Sequence, residues 1–125
     1  MNTKHAVIWI DHQEAKIFFI DADTSEALHA HKHVQHPKHG DGKHPVMQDS
    51  FFHAVLHEVG GAEEILVVGP AAAKLQLVKH AHKHDHVIAD KIIGVETVDH
   101  PTDGQLVKYA KHYFHGADRL AGIVP

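Results

Sequence analysis

No cysteine occurs anywhere in the sequence. That one absence excludes disulfides, thiolate zinc sites and cysteine nucleophiles, and it fits a cytoplasmic protein. No apolar run approaches the roughly 20 residues that a membrane helix needs, so no membrane partner is expected. The opening MNTKHAVIWIDHQEAK places an acid directly after its short apolar run and has no small-residue cleavage pattern, so it does not read as a secretory signal. Excess positive charge is missing as well. The formal net charge is −4 at pH 7 with neutral histidines, which removes the bulk basic footprint of a nucleic-acid binder. There is no HExxH and no GxxxxGK[ST], and neither Ser25 nor Ser50 sits in a nucleophile elbow. Zinc-protease, phosphate-loop and acyl-transfer chemistry therefore find no support.

Histidine is what the chain has in excess, 17 of 125 residues. Histidine titrates near pH 6.5, so mildly acidic solution turns this chain cationic. Charge is also uneven, because HAHKHVQHPKHGDGKHPV (29–46) sets Lys32, Lys38 and Lys43 against Asp41 alone.

The length fits a single domain spanning 1–125. HAVIWI and AKIFFI are short β-rich runs joined by the polar DHQE, the pattern of an antiparallel hairpin. Residues 26–35 alternate, with Leu28, Ala30, Lys32 and Val34 on one face and His29, His31, His33 and Gln35 on the other. Residues 35–47 read as an exposed, histidine-rich loop. Helical spacing then begins from about 48 with Phe51, Phe52, Val55, Leu56 and Val59, stopped by Gly60-Gly61. EILVV is a buried strand, and Gly69-Pro70 leads into a second helix marked by Leu75, Val78, Leu77 and Ala81 and ending near Lys83. KIIGVETV (91–98) is a strand. TDGQ matches a capping box in which Thr102 and Gln105 bond each other's backbone N–H. It opens a last helix with Leu106, Val107, Ala110, Tyr113 and Phe114 inward. Residues 116–125 are expected to fray. The order β-β-β-α-β-α-β-α predicts a ribonuclease H-like α/β fold. Its sheet is five-stranded and mixed, with helices on its faces and the fourth strand beside the first.

The pentapeptide HAHKH occurs at 29–33 and again at 80–84. On a strand, His29, His31 and His33 share one face at roughly 6–7 Å spacing. On a helix, His80 and His84 stand one turn apart, as do His82 and His86, which is the spacing of a bidentate clip. These seven histidines are the candidate metal ligands, and the alternative is a solvated histidine face that takes up zinc or nickel adventitiously. No required cofactor is expected. Asp11, at the end of the first strand, is where a nuclease of this fold would place its first carboxylate. Glu58, Glu64 and Asp99 or Asp103 are the available partners for a two-metal site. The competing reading of Asp11 is a turn residue bonding its own backbone. Lys74, in GPAAAK, sits where a helix N-terminus would offer a weak anion site.

Three stretches together resemble a known family. HAVIWIDHQEAKIF is similar to the opening of the middle domain of Pelota and the archaeo-eukaryotic peptide release factors. EEILVVGPAAAKLQLVKHAHKHD resembles the same domain's strand, Gly-Pro turn and helix, and KIIGVETVDHPTDGQL its last strand and helix entry. The chain is most similar to small, histidine-rich bacterial proteins of this translational-machinery type, in which HPTDGQL recurs. The resemblance implies a ribonuclease H-like fold and association with the ribosome or RNA. In the releasing factors a GGQ tripeptide works in the loop after the third strand. Here that loop reads HVQHPKHGDGKHPVMQ, so the resemblance does not carry peptide release with it. The expected function is non-catalytic binding of RNA or a ribosomal component through Lys32, His33, His36, Lys38, His39, Lys43 and His44. A histidine-rich metal-binding protein and a degenerate nuclease are the alternatives.

Overall fold

In the computed structural model, residues 5–20, 31–35 and 45–120 are described. The strands are β1 (His5–Ile10), β2 (Glu14–Ile20), β3 (His31–Gln35), β4 (Glu64–Gly69) and β5 (Ile92–Thr97). The helices are α1 (Pro45–Glu58), α2 (Ala73–His84), α3 (His86–Ala89) and α4 (Asp103–Leu120). One mixed sheet runs in the order β3-β2-β1-β4-β5. β1, β2 and β3 pair antiparallel in succession, while β4 lies parallel to β1 and β5 parallel to β4.

The hairpin forms as the alternation predicts. Ile10 pairs with Ala15, and Asp11 N–H donates to the Glu14 carbonyl at 3.0 Å. β1 has a strand on each side and is buried along its whole length, which explains its unbroken apolar sequence. Alternate residues then feed two cores. Ala6, Ile8, Ile10, Ile17, Ile65 and Val67 meet α1, α2 and α3. Val7, Trp9, Phe18, Leu66 and Val68 meet α4. β1 and β4 come close enough at their ends that a methyl group on Gly69 would overlap the Ile10 carbonyl oxygen. Only glycine fits that approach.

The helix phases follow the apolar pattern with definite departures. Phe51, Phe52, Val55, Leu56 and Val59 are all buried. α1, however, begins at Pro45, inside the stretch expected to be loop, since proline is well suited to a first helical turn. In α2, Leu77 and Ala81 are buried but Leu75 is 55 % exposed, because it lies about 200° around the helix from Leu77. α2 starts at Ala73 rather than at Pro70. The chain breaks at Asp85, whose carboxylate accepts from Ile88 N–H at 3.3 Å and opens the short α3, an element the periodicity did not mark. The capping box forms as read: Gln105 Oε1 accepts from Thr102 N–H at 2.9 Å, and Thr102 Oγ1 from Gln105 N–H at 3.1 Å. α4 continues to Leu120, so the helix extends into the tail that begins at 116. Residues 121–125 lie outside the described residues.

Candidate functional site

The predicted sites distribute unevenly. His29, His36, Lys38, His39, Lys43 and His44 lie outside the described residues. His31, Lys32 and His33 stand on β3, in register with Phe18, Ile17 and Lys16 of β2. The segment that joins β3 to α1 is therefore bounded by Gln35 and Pro45, shorter at its helical end than the sequence pattern predicts.

The second HAHKH is fully in view. His80, His82 and His84 lie on the last turns of α2, but His86 belongs to α3. The His82/His86 pair therefore loses its single-helix spacing at Asp85, and both side chains are exposed. His80 and His84 do come together, with ring centroids 4.6 Å apart. The sequence pattern missed the partners from α1. The Phe52 ring packs on His80 at 5.6 Å between centroids, and Asp49 Oδ1 lies 3.5 Å from His80 Nδ1. The signal was present as an Asp-x-x-x-His spacing, Asp49 and His53, on α1. Burial, aided by the charges of His84 and His53, lowers the His80 pKa from its ordinary value, against the opposing pull of Asp49. His80 therefore favours its neutral form, which is also the ligand form of imidazole. An open groove of about 670 Å³ runs along this edge, lined by Asp49, His80 and His84 and by Lys79, His82 and Lys83. Among the described residues no group of three or more His, Asp or Glu side chains is placed to hold a metal ion.

The nuclease constellation is not assembled. Asp11 Oδ1 accepts from Gln13 N–H and Glu14 N–H, both at 2.8 Å, which is the turn role of aspartate. Glu64 sits at the start of β4, its Oε1 2.8 Å from Nε2 of the buried His5. Because His5 and Glu64 are in register, Asp11 at the far end of β1 lies about 20 Å away by strand rise. Asp99 contacts His100 at 2.9 Å and Asp103 contacts Lys16 at 3.6 Å. Glu58 is half-buried on α1. Lys74 is also not the open anion site expected of it. Its side chain is buried and Nζ donates to the Ala71 carbonyl at 2.6 Å, so the ammonium closes its own turn.

A second polar corner forms where β5 leads to α4. The Trp9 indole N–H donates to the Asp99 carbonyl at 2.8 Å, and His100 packs on the indole at 5.2 Å between centroids. Lys16 Nζ lies 5.9 Å from the centre of the same ring, a cation–π geometry. On the β5 side, Tyr109 and Tyr113 stand one turn apart on α4. Burial and then the charge of Glu96 raise both phenol pKa values above the ordinary range, so both stay protonated donors.

No protein-family model matches the chain, and no curated protein matches it in sequence. Solved structures do match it. The archaeal translation termination factor aRF1 superposes with a TM-score of 0.63 at 21% identity, over 87% of this chain and 33% of its own. Pelota from Thermoplasma acidophilum gives a TM-score of 0.63 at 16% identity, over 96% of this chain and 34% of its own. Dom34 from S. cerevisiae, described as a translation termination-like factor involved in RNA quality control pathways and interacting with Hbs1, gives 0.52 at 9% identity, over 89% and 37%. This chain thus spans about a third of the length of each of these proteins. Over that part it has the α/β fold of a Pelota- and release-factor-like domain.

Proposed function

We propose that this protein is a non-catalytic, translation-associated binding domain that contacts RNA or a ribosomal component in the cytoplasm. The observation that carries the reading is the fold match over nearly the whole chain to aRF1 and Pelota. The sheet order and the placement of α4 opposite the other helices also support the ribonuclease H-like reading of that fold. The contact surface in this proposal is the segment leaving β3, with Lys32, His33, His36, Lys38, His39, Lys43 and His44 as its cations. Binding is favoured over catalysis for two reasons. The segment contains no GGQ, and the described carboxylates are held apart in separate turn and ion-pair roles.

Phosphate contact by these residues gives two dependences. Each lysine that neutralises a phosphate releases counterions, so affinity falls as salt rises. Histidine protonation adds charge as pH falls from 7.5 to 6 and tightens binding. The test is sedimentation with ribosomal subunits, and titration of single-stranded RNA, across salt at both pH values. Replacing Lys32, Lys38 and Lys43 with alanine should flatten the log–log salt slope by about 2, at ~0.7 per phosphate for single strands. Unchanged affinity and slope in the triple variant would remove this segment as the binding surface.

A further inference from the structure

We propose that His80 and His84 form a two-histidine clip for one divalent transition-metal ion, with Asp49 of α1 orienting His80. The proposal does not depend on the translation reading. Its first support is distance. The two rings stand one turn apart on α2 with centroids at 4.6 Å. A metal–nitrogen bond of about 2.0–2.1 Å puts an imidazole centroid about 3.2 Å from the ion. Two rings on one ion are then about 4.5 Å apart at a ~90° ligand angle and about 5.2 Å apart at a tetrahedral one. The observed separation lies within the span that two imidazoles on one ion require.

The second support is the contact across the helix pair. Asp49 Oδ1 lies on the Nδ1 side of His80, at 3.5 Å. A carboxylate there favours the Nδ1–H tautomer and leaves the Nε2 lone pair for an ion, the usual arrangement of a carboxylate behind a metal-bound histidine. The Phe52 ring fixes the plane of His80 from the core side, and the His80 side chain is only 9 % exposed. One ligand is therefore rigid, while the exposed His84 supplies the other on the groove side. Two protein nitrogens make the site, and water completes the shell. His82 does not belong to it, because it lies about 200° around α2 from both His80 and His84, and His86 belongs to α3.

The probe is Ni²⁺ alone, titrated calorimetrically into the chelator-stripped full chain carrying no added histidine tag. NMR of the imidazole resonances shows which rings the paramagnetic ion broadens first. The wild type should show a one-equivalent step that His84→Ala abolishes. His84 is exposed, so this variant should keep the wild-type circular dichroism. Asp49→Asn should weaken the step by about 10- to 100-fold, the range for a partner behind a metal-bound histidine. His82→Ala and His86→Ala should leave it intact, and the His80 and His84 resonances should broaden before those of His82 and His86. A step that survives His84→Ala, or one that His82→Ala removes equally well, would overturn the clip and leave only diffuse uptake along the tract.

Discussion

Among the described residues, three helices share the cover on one face of the sheet, and on the other α4 stands alone. The α1–α3 side is an apolar core of sheet residues with Phe51, Val55, Leu56, Leu77 and Ile88. Its polar chemistry is the buried Lys74, whose ammonium bonds its own turn, and the rim where Asp49 and His80 meet. The α4 side draws polar groups into the packing itself. His5 is buried against Phe114, with ring centroids 4.4 Å apart, and contacts Glu64. The Trp9 indole reaches back to Asp99. The difference teaches where each face gets its specificity. Three helices fix one another by packing, whereas a lone helix needs directional contacts to set its position.

The comparison breaks most visibly at its largest side chains. Phe114→Ala should cost about 3–5 kcal/mol, because it opens a cavity under α4 and uncovers His5. Leu77→Ala should cost about 2–5 kcal/mol and fall below Phe114→Ala, since α1 and α3 relax into part of the space. Urea midpoints at constant m-value measure both. A larger loss for Leu77→Ala would mean that the three-helix face is the less adaptable one.

A smaller effect tests how α4 is started. The Thr102–Gln105 box satisfies two N–H groups at the helix entrance. Thr102→Ala should therefore lower stability by about 1 kcal/mol, read as a shift in urea midpoint. On the other face α2 has no side-chain cap at all, its cap position being Ala72. Ala72→Ser should then gain a few tenths of a kcal/mol at most, because serine would first have to leave the helical conformation that Ala72 holds. Equal and opposite shifts in the two variants would show that capping matters alike on both faces.

Much of this architecture was legible because it is local. The box, the DHQE turn and the buried phase of Phe51, Phe52, Val55 and Leu56 are each written within a few residues of sequence. What was not legible depends on neighbours distant in the chain. Leu75 looks as apolar as Leu77, and only the packing of α2 on the sheet decides which one faces solvent. Asp49 reads as an ordinary surface acid until α1 and α2 are laid side by side. The pairing of His82 with His86 failed at a single residue, Asp85, whose capping bond to Ile88 starts a new helix. The first HAHKH teaches less, because only its His31–His33 part stands in a described strand.

The smallest expected effect belongs to the rim of the three-helix face. Burial, reinforced by the His84 and His53 charges, lowers the His80 pKa below its ordinary 6.5. In the unfolded chain His80 titrates near that ordinary value. Between the two values the unfolded state binds the proton more readily than the folded state does, so stability rises with pH across that window. The contribution is complete above about 6.5 and is lost as pH falls through the folded value. In chelator-treated protein, His80→Gln should therefore flatten the slope of stability against pH on the acid side of 6.5 and leave it unchanged above. Urea unfolding of the two proteins in parallel at several pH values reads the difference, and the histidines not coupled to His80 cancel in the subtraction. The Asp49→Asn variant sharpens the reading, because the Asp49 carboxylate pulls the His80 pKa upward. Without that carboxylate the folded value drops further, and the window in which stability depends on pH should widen. If Asp49→Asn narrowed the window instead, the carboxylate would not be acting on His80, and the α1–α2 rim would be held by the Phe52 contact alone.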